Sequence, residues 1–184
     1  MPRAGLSAEA VTEAGAELAD DEGLDAVTLA ALAARLGVRP PSLYAHVGGL
    51  GDLRARIAAR GAEQLAERLQ AAAAGRAGAD ALAAVAEAYR AYARAHPGAY
   101  AALQRVPGRS ARAAEASERV VAVVLAVLGG YGLEGDQALH ATRAIRSALH
   151  GFVLLEAEQG FGLPLDVDES FAALVALLDR GLRA

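Results

Sequence analysis

Apolar residues recur along this chain at three- and four-residue intervals, the spacing of one face of an α-helix, and almost nowhere alternate as they do in a half-buried strand. From 7 to 22 the positions Ala10, Val11, Ala14 and Leu18 share a face, Ser7 is placed to cap the first turn and Gly23 to end the helix. A second, short helix is predicted behind Thr28, with Leu29, Leu32, Ala33 and Leu36 forming its stripe and Gly37 closing it. After only Gly37 and Val38 the pattern restarts at Arg39. Pro40 and Pro41 suit a first helical turn, Leu43 and Val47 point inward, and Gly48-Gly49 break the run. Two short helices about a glycine turn predict a helix-turn-helix.

Longer helices are predicted downstream. One covers 50–74, with Leu53, Ile57, Ala58, Leu65 and Leu69 on one side, and another covers 79–95, carrying Leu82, Val85, Ala86, Tyr89 and Tyr92. Pro97-Gly98 end that helix, a short turn of helix is expected over 99–105, and Pro107 to Ser110 read as a loop. A valine-rich helix spans 111–128. The stretch 136–158 repeats Leu139, Thr142, Ile145, Leu149, Phe152 and Val153 over about six turns. The final helix, 168–182, places Phe171, Leu174, Val175, Leu178 and Leu182 together. The expectation is an all-α fold of about nine helices, divided into a helix-turn-helix domain at 1–49 and a helical domain at 50–184.

Composition narrows the class. Hydrophobic residues make up 54% of the 184, much of it alanine, and aromatics only 4%, which favours helix over strand. Without cysteine there is neither a disulfide framework nor a thiolate metal site. No signal-like segment and no long uncharged apolar run appears, so a cytoplasmic protein with no membrane partner is expected. The net charge of −4 argues against nonspecific coating of nucleic acid, so any contact with DNA must be local. All 18 basic residues are arginine.

The segment Leu36-Gly37-Val38-Arg39-Pro40-Pro41-Ser42-Leu43-Tyr44-Ala45-His46-Val47 closely resembles the recognition region of TetR-family regulators, in which Leu-Gly-Val precedes Leu-Tyr-x-His and an apolar residue. Ala16 to Leu29 is similar to the family's first helix and the approach to its second. Ser147-Ala148-Leu149-His150-Gly151-Phe152 with Glu156 resembles the His-Gly segment of one TetR-type C-terminal domain, without the tryptophan usual before it. The resemblance implies a DNA-binding regulator, a repressor released from a pseudo-palindromic double-stranded operator by a small, mostly apolar effector. It implies a homodimer that uses its last two long helices, with Leu149, Phe152, Leu174, Leu178 and Leu182 in or beside the interface.

A recognition helix needs small or polar residues at its exposed end to enter a major groove about 12 Å wide. Thr28, Ser42, Tyr44 and His46 are expected to position the protein on phosphate, Arg39 to read a base, and Pro41 to lie among them at the DNA. Leu50 stands where the family often has a lysine, which removes one phosphate contact. The first 47 residues hold three arginines (Arg3, Arg35, Arg39) against seven acids, Glu9, Glu13, Glu17, Asp20, Asp21, Glu22 and Asp25, which must face away from DNA.

Tyr89, Tyr92 and His96 fall along one side of a helix, with Tyr100 just beyond Pro97, and are the candidate effector-binding set. The alternative is that these aromatics only pack the core. Two other functions compete: a small-molecule enzyme using these tyrosines with His140 and His150, and a dimerising adaptor that has lost DNA binding. No nucleophile elbow, phosphate-cradling loop or paired metal-ligand histidines organise a catalytic site, so neither enzyme activity, a cofactor nor a metal is expected.

Overall fold

A computed structural model of the chain describes residues 6–105 and 111–183, and within these the secondary structure is helical, with no strand. The α-helices are α1 (Ala8–Glu22), α2 (Leu29–Leu36), α3 (Leu50–Ala73), α4 (Gly78–Ala95), α5 (Pro97–Arg105), α6 (Ala111–Gly129), α7 (Gly135–Ala157) and α8 (Val167–Leu182). Two 3-10 segments, Leu24–Ala26 and Pro40–Ala45, lie between them. The fold is all-α, as the periodicity predicts, with Pro40–Ala45 in the place of the third of nine helices. The expected loop at 107–110 lies outside the described residues. None of the described helices is long and apolar enough to cross a membrane.

The chain forms two compact units: Met1–Gln64 with Ala95–Ala116, and Leu65–Arg94 with Ser117–Ala184. The first is larger than the motif-defined segment 1–49, because it takes in the start of α3 and all of α5.

In the first unit the predicted caps fix the helix ends. Ser7 Oγ accepts from the Ala10 amide at 3.1 Å and Thr28 Oγ1 from the Ala31 amide at 3.0 Å, each satisfying a donor that the first turn leaves without a partner. Gly37 adopts φ 67°, the left-handed conformation that lets the Val38 amide return to the Ala33 carbonyl at 3.0 Å and turn the chain out of α2. Val11, Leu18, Leu32, Leu43, Val47, Leu53 and Ile57 are buried together, with Ala99 and Ala102 of α5 in the same core. Gly15 keeps α1 close to α3, since a Cβ there would sit 3.1 Å from Leu53 Cδ1 and 3.2 Å from Ile57 Cδ1.

Pro40–Ala45 departs from the α-helix expected there. Neither proline has an N–H, so the first donor is Ser42, which bonds the Arg39 carbonyl at 2.9 Å in the tighter three-residue register. The run ends with the His46 and Val47 amides on the Leu43 carbonyl, at 2.9 and 3.0 Å, before Gly48. Pro97, expected only to end a helix, also serves as the first residue of α5, where its missing N–H costs nothing.

In the second unit Leu65, Leu69, Leu82, Val85, Tyr92, Leu128, Ile145, Leu149, Val153 and Phe171 are buried. Asp166 caps α8 by accepting from the Asp168 amide at 2.7 Å, and the Tyr131 hydroxyl donates to Asp179 of α8 at 2.7 Å.

Candidate nucleic-acid interface

Burial of Leu43 and Val47 fixes which way the segment between the two glycine turns faces. With those side chains inside, Arg39, Pro41, Ser42, Tyr44 and Ala45 are exposed and His46 is half-buried. Tyr44 is 62% exposed, too open for a packing role to explain a large aromatic there. Thr28 is exposed at the N-terminus of α2, its hydroxyl oxygen engaged as the cap and its proton free to donate. All six residues expected at DNA thus belong to the first unit, and five of them are exposed.

Glu13, Glu17, Asp21, Asp25 and Asp52 are each met by one of the unit's own arginines. Arg35 of α2 reaches Asp21 at 2.8 Å and Glu17 at 3.5 Å on α1. Arg60 of α3 meets Glu13 at 2.8 Å, Arg56 meets Asp52 at 2.8 Å and Arg105 meets Asp25 at 3.5 Å. Arg54 donates to the Leu24 and Val27 carbonyls at 3.2 and 3.3 Å, closing the 3-10 turn before α2. Among the arginine side chains described in this unit, Arg39 alone has no hydrogen bond or ion pair to protein. It sits on the exposed segment beside Tyr44 and Ser42.

Asp52 closes the turn that follows. Its Oδ2 accepts from the Gly48 amide at 2.9 Å as well as from Arg56, and these two bonds, the amide first, hold its carboxyl below the ordinary aspartate pKa.

The four candidate effector residues are divided between the units. Tyr89 and Tyr92 are buried in the second, Tyr92 completely, with the Arg68 guanidinium 5.6 Å from its ring centroid. His96 and Tyr100 lie in the first, where His96 Nδ1 is 3.1 Å from Asp20 Oδ2. Of the expected interface residues, Leu149 and Phe152 are buried within their own unit, and Leu174, Leu178 and Leu182 are half-buried. Phe152 packs edge-on against Phe171, with ring centroids 5.0 Å apart. The large apolar side chains exposed on α7 and α8 are Leu139, Leu154, Leu155 and Leu177.

Arg90 is the functional-looking residue that sequence reasoning passed over. It is 3% exposed, bonds Glu156 through Nε at 2.9 Å and Asp168 at 2.6 Å, and lies 5.5 and 4.7 Å from the ring centroids of Phe152 and Phe171. Glu156 raises its pKa above that of a free guanidinium, and Asp168 adds to this. The signal was an arginine four residues after Ala86, on the buried face of α4.

A protein whose first unit presents such a segment on a helix-turn-helix frame is a transcriptional regulator with an N-terminal DNA-binding domain. Residues 11–49 match the family described as bacterial regulatory proteins, tetR family, and residues 82–178 match the tetracyclin repressor-like C-terminal domain. The chain belongs to the TetR family, whose members are regulators rather than enzymes. It is 40% identical over 182 residues to the uncharacterized HTH-type transcriptional regulator YobS of Bacillus subtilis (strain 168), covering 98% of this chain and 95% of that one. It is 42% identical over 179 residues to the uncharacterized HTH-type transcriptional regulator Rv0681 of Mycobacterium tuberculosis (strain ATCC 25618 / H37Rv), covering 96% and 82%. The fold is shared with a protein of unknown function from Rhodococcus sp. RHA1, with a TM-score of 0.84, 22% identity and all of both chains covered. Regulators of this family bind DNA operators and small ligands and act as dimers.

Replacing Asp52 with alanine removes the bond to the Gly48 amide and is expected to destabilise the protein by about 1 kcal/mol at neutral pH. Because the folded carboxyl titrates below its unfolded value, that stability is complete above the ordinary aspartate range and is lost as pH falls through the folded pKa. Urea unfolding of wild type and Asp52→Ala is expected to differ at pH 7 and converge toward pH 2.

Proposed function

We propose that this regulator is a repressor that binds a pseudo-palindromic operator as a homodimer and leaves it when a small, mostly apolar ligand occupies the second unit. The observation that carries the DNA half is Arg39: an arginine without a protein partner, held on an exposed segment whose direction is set by the buried Leu43 and Val47. Its fork suits the O6 and N7 acceptors of a guanine. Tyr44, His46, Ser42 and Thr28 supply hydroxyl and imidazole groups to phosphate on either side, and Pro41 supplies an apolar surface.

The dimer reading is supported by Leu139, Leu154, Leu155 and Leu177, apolar side chains exposed on the two C-terminal helices beside the half-buried Leu174, Leu178 and Leu182. Helices α7 and α8 of two copies then pair as a four-helix bundle. The ligand reading rests on Tyr89 and Tyr92, two tyrosines of α4 buried with the apolar side chains of the second unit. His96 and Tyr100 belong to the DNA-binding unit and are not assigned to the ligand.

Selection from randomised DNA is expected to return a two-fold symmetric motif. Arg39→Ala is expected to relax one position in each half-site at a cost of about 1–3 kcal/mol, whereas Tyr44→Phe and His46→Ala weaken binding to all sequences alike. An unaltered motif for Arg39→Ala removes it from base readout. Small aromatic compounds that raise the melting temperature are expected to lower operator affinity roughly 5–150-fold, and to lose that effect in Tyr92→Ala. Stabilising compounds that leave operator affinity untouched contradict ligand release.

A further inference from the structure

Beyond its helix leucines, the second unit exposes apolar side chains on the loop between α7 and α8. Leu163 is 77% and Leu165 72% exposed, more than any other large apolar side chain among the described residues. The shape of this loop is fixed at both ends. The Gly160 amide bonds the Leu155 carbonyl at 2.7 Å, the Phe161 ring packs at a tilt on Phe152 with centroids 4.8 Å apart, and Asp166 caps α8. Around Pro164 the Leu165 amide bonds back to the Leu163 carbonyl at 2.8 Å, a tight turn that holds the two leucines in place. Apolar surface presented in this way calls for a cover.

Charge decides which cover fits. From 154 to 170 the chain carries Glu156, Glu158, Asp166, Asp168 and Glu169 and no basic residue, so an anionic lipid surface or a nucleic acid is repelled. Basic charge lies farther back on the same helix. Arg143, Ser147, Gly151, Leu154 and Glu158 follow at three- and four-residue steps along the outer face of α7, and neither the Arg143 nor the Glu158 side chain has a hydrogen bond or ion pair among the described residues. At the middle of this face a Cβ on Gly151 would meet nothing of the chain itself. The fold of one chain therefore does not ask for glycine there, which weakens a helix relative to alanine, whereas a second helix crossing closely does. A second copy of α7 laid antiparallel across Gly151 sets Arg143 opposite the partner's Glu158, twice, as a two-fold interface requires. It also answers Leu139, which is exposed near the start of α7, thirteen residues and about 20 Å from Phe152, where its own loop is held. Leu139 lies twelve residues before Gly151 and Leu163 twelve after it, so the antiparallel copy brings its loop to Leu139.

We propose that the loop between α7 and α8 is a docking arm for a second copy of this chain: Leu163 and Leu165 of each copy seat against Leu139 of the other, with α7 crossing α7 antiparallel at Gly151. The proposal rests on the dimer reading given above and adds which segments meet. Phe161 holds the arm to its own helix and takes no part in the contact.

The test is thiol cross-linking of the full-length chain, which has no cysteine of its own. Leu139→Cys, Leu163→Cys and the chain carrying both substitutions are treated with a short bis-maleimide and separated under denaturing conditions. The doubly substituted chain is expected to give a covalent dimer. An equal mixture of the two single variants is expected to give about half as much, as random pairing dictates, and either single variant alone almost none. In sedimentation equilibrium, Arg143→Glu and Glu158→Arg are each expected to raise the dimer Kd about tenfold, and the chain carrying both to recover it. A wild type that sediments as a monomer overturns the dimer reading, and the proposal with it. A dimeric, doubly substituted chain that does not cross-link overturns the docking arm and leaves the dimer reading standing. If loss of the leucines weakens the dimer too far to cross-link, the charge exchange decides, since its leucines are intact, and a double charge variant no tighter than the single ones overturns the antiparallel crossing.

Discussion

An acidic unit can approach DNA only if its carboxylates are neutralised or turned away, and that constraint shapes the whole N-terminal half of this chain. Glu13, Glu17, Asp21 and Asp25 are each met by an arginine from α2, α3 or α5. Such exposed pairs are each worth only about 0–1 kcal/mol, too little to explain the fold by themselves. Their larger consequence is electrostatic. They offset the carboxylates of α1 and leave Arg39 unengaged on the exposed segment held by Leu43 and Val47.

The second unit uses its central arginine differently. Arg90 is enclosed by two aromatic rings and shared between Glu156 of α7 and Asp168 at the start of α8, so one side chain of α4 ties three helices together. Replacing such an enclosed pair by apolar residues is often neutral, whereas removing one member leaves a charge without its partner. The value of Arg90 therefore lies in specifying which helices meet, more than in net stability. Phe152 and Phe171 are committed to this cluster, which is why Phe152 is turned inward and the apolar surface of α7 is carried by Leu139, Leu154 and Leu155.

Local signals were legible in the sequence because their causes are local. Ser7, Thr28 and Gly37 end their helices through bonds to residues three to five positions away, and the three- and four-residue period of Leu53 with Ile57, or of Ile145 with Leu149, requires no knowledge of the fold. The exposed Tyr44 was equally readable, since Leu43 and Val47 dictate the opposite face. The tight register of Pro40–Ala45 was missed, although the two prolines that remove its first donors are plain in the chain. What spacing cannot carry is a bond such as Asp20 to Gly98 or Arg90 to Glu156, separated by 78 and 66 residues. Those bonds decided that α5 belongs with the DNA-binding unit and that Tyr89 and Tyr92 part company with His96 and Tyr100.

Among the described residues, the recognition segment carries one arginine, Arg39, and the salt dependence of operator binding is the most direct measure of how many phosphates the protein neutralises. Each phosphate neutralised by a cation contributes about −0.9 to the slope of log K against log salt concentration. With Arg39 on a base, and His46 the one side chain assigned to phosphate that can carry a positive charge, a dimer is expected to give a shallow slope, between about 0 and −2. A slope of about −8 or steeper would require roughly nine phosphate contacts and would contradict the account.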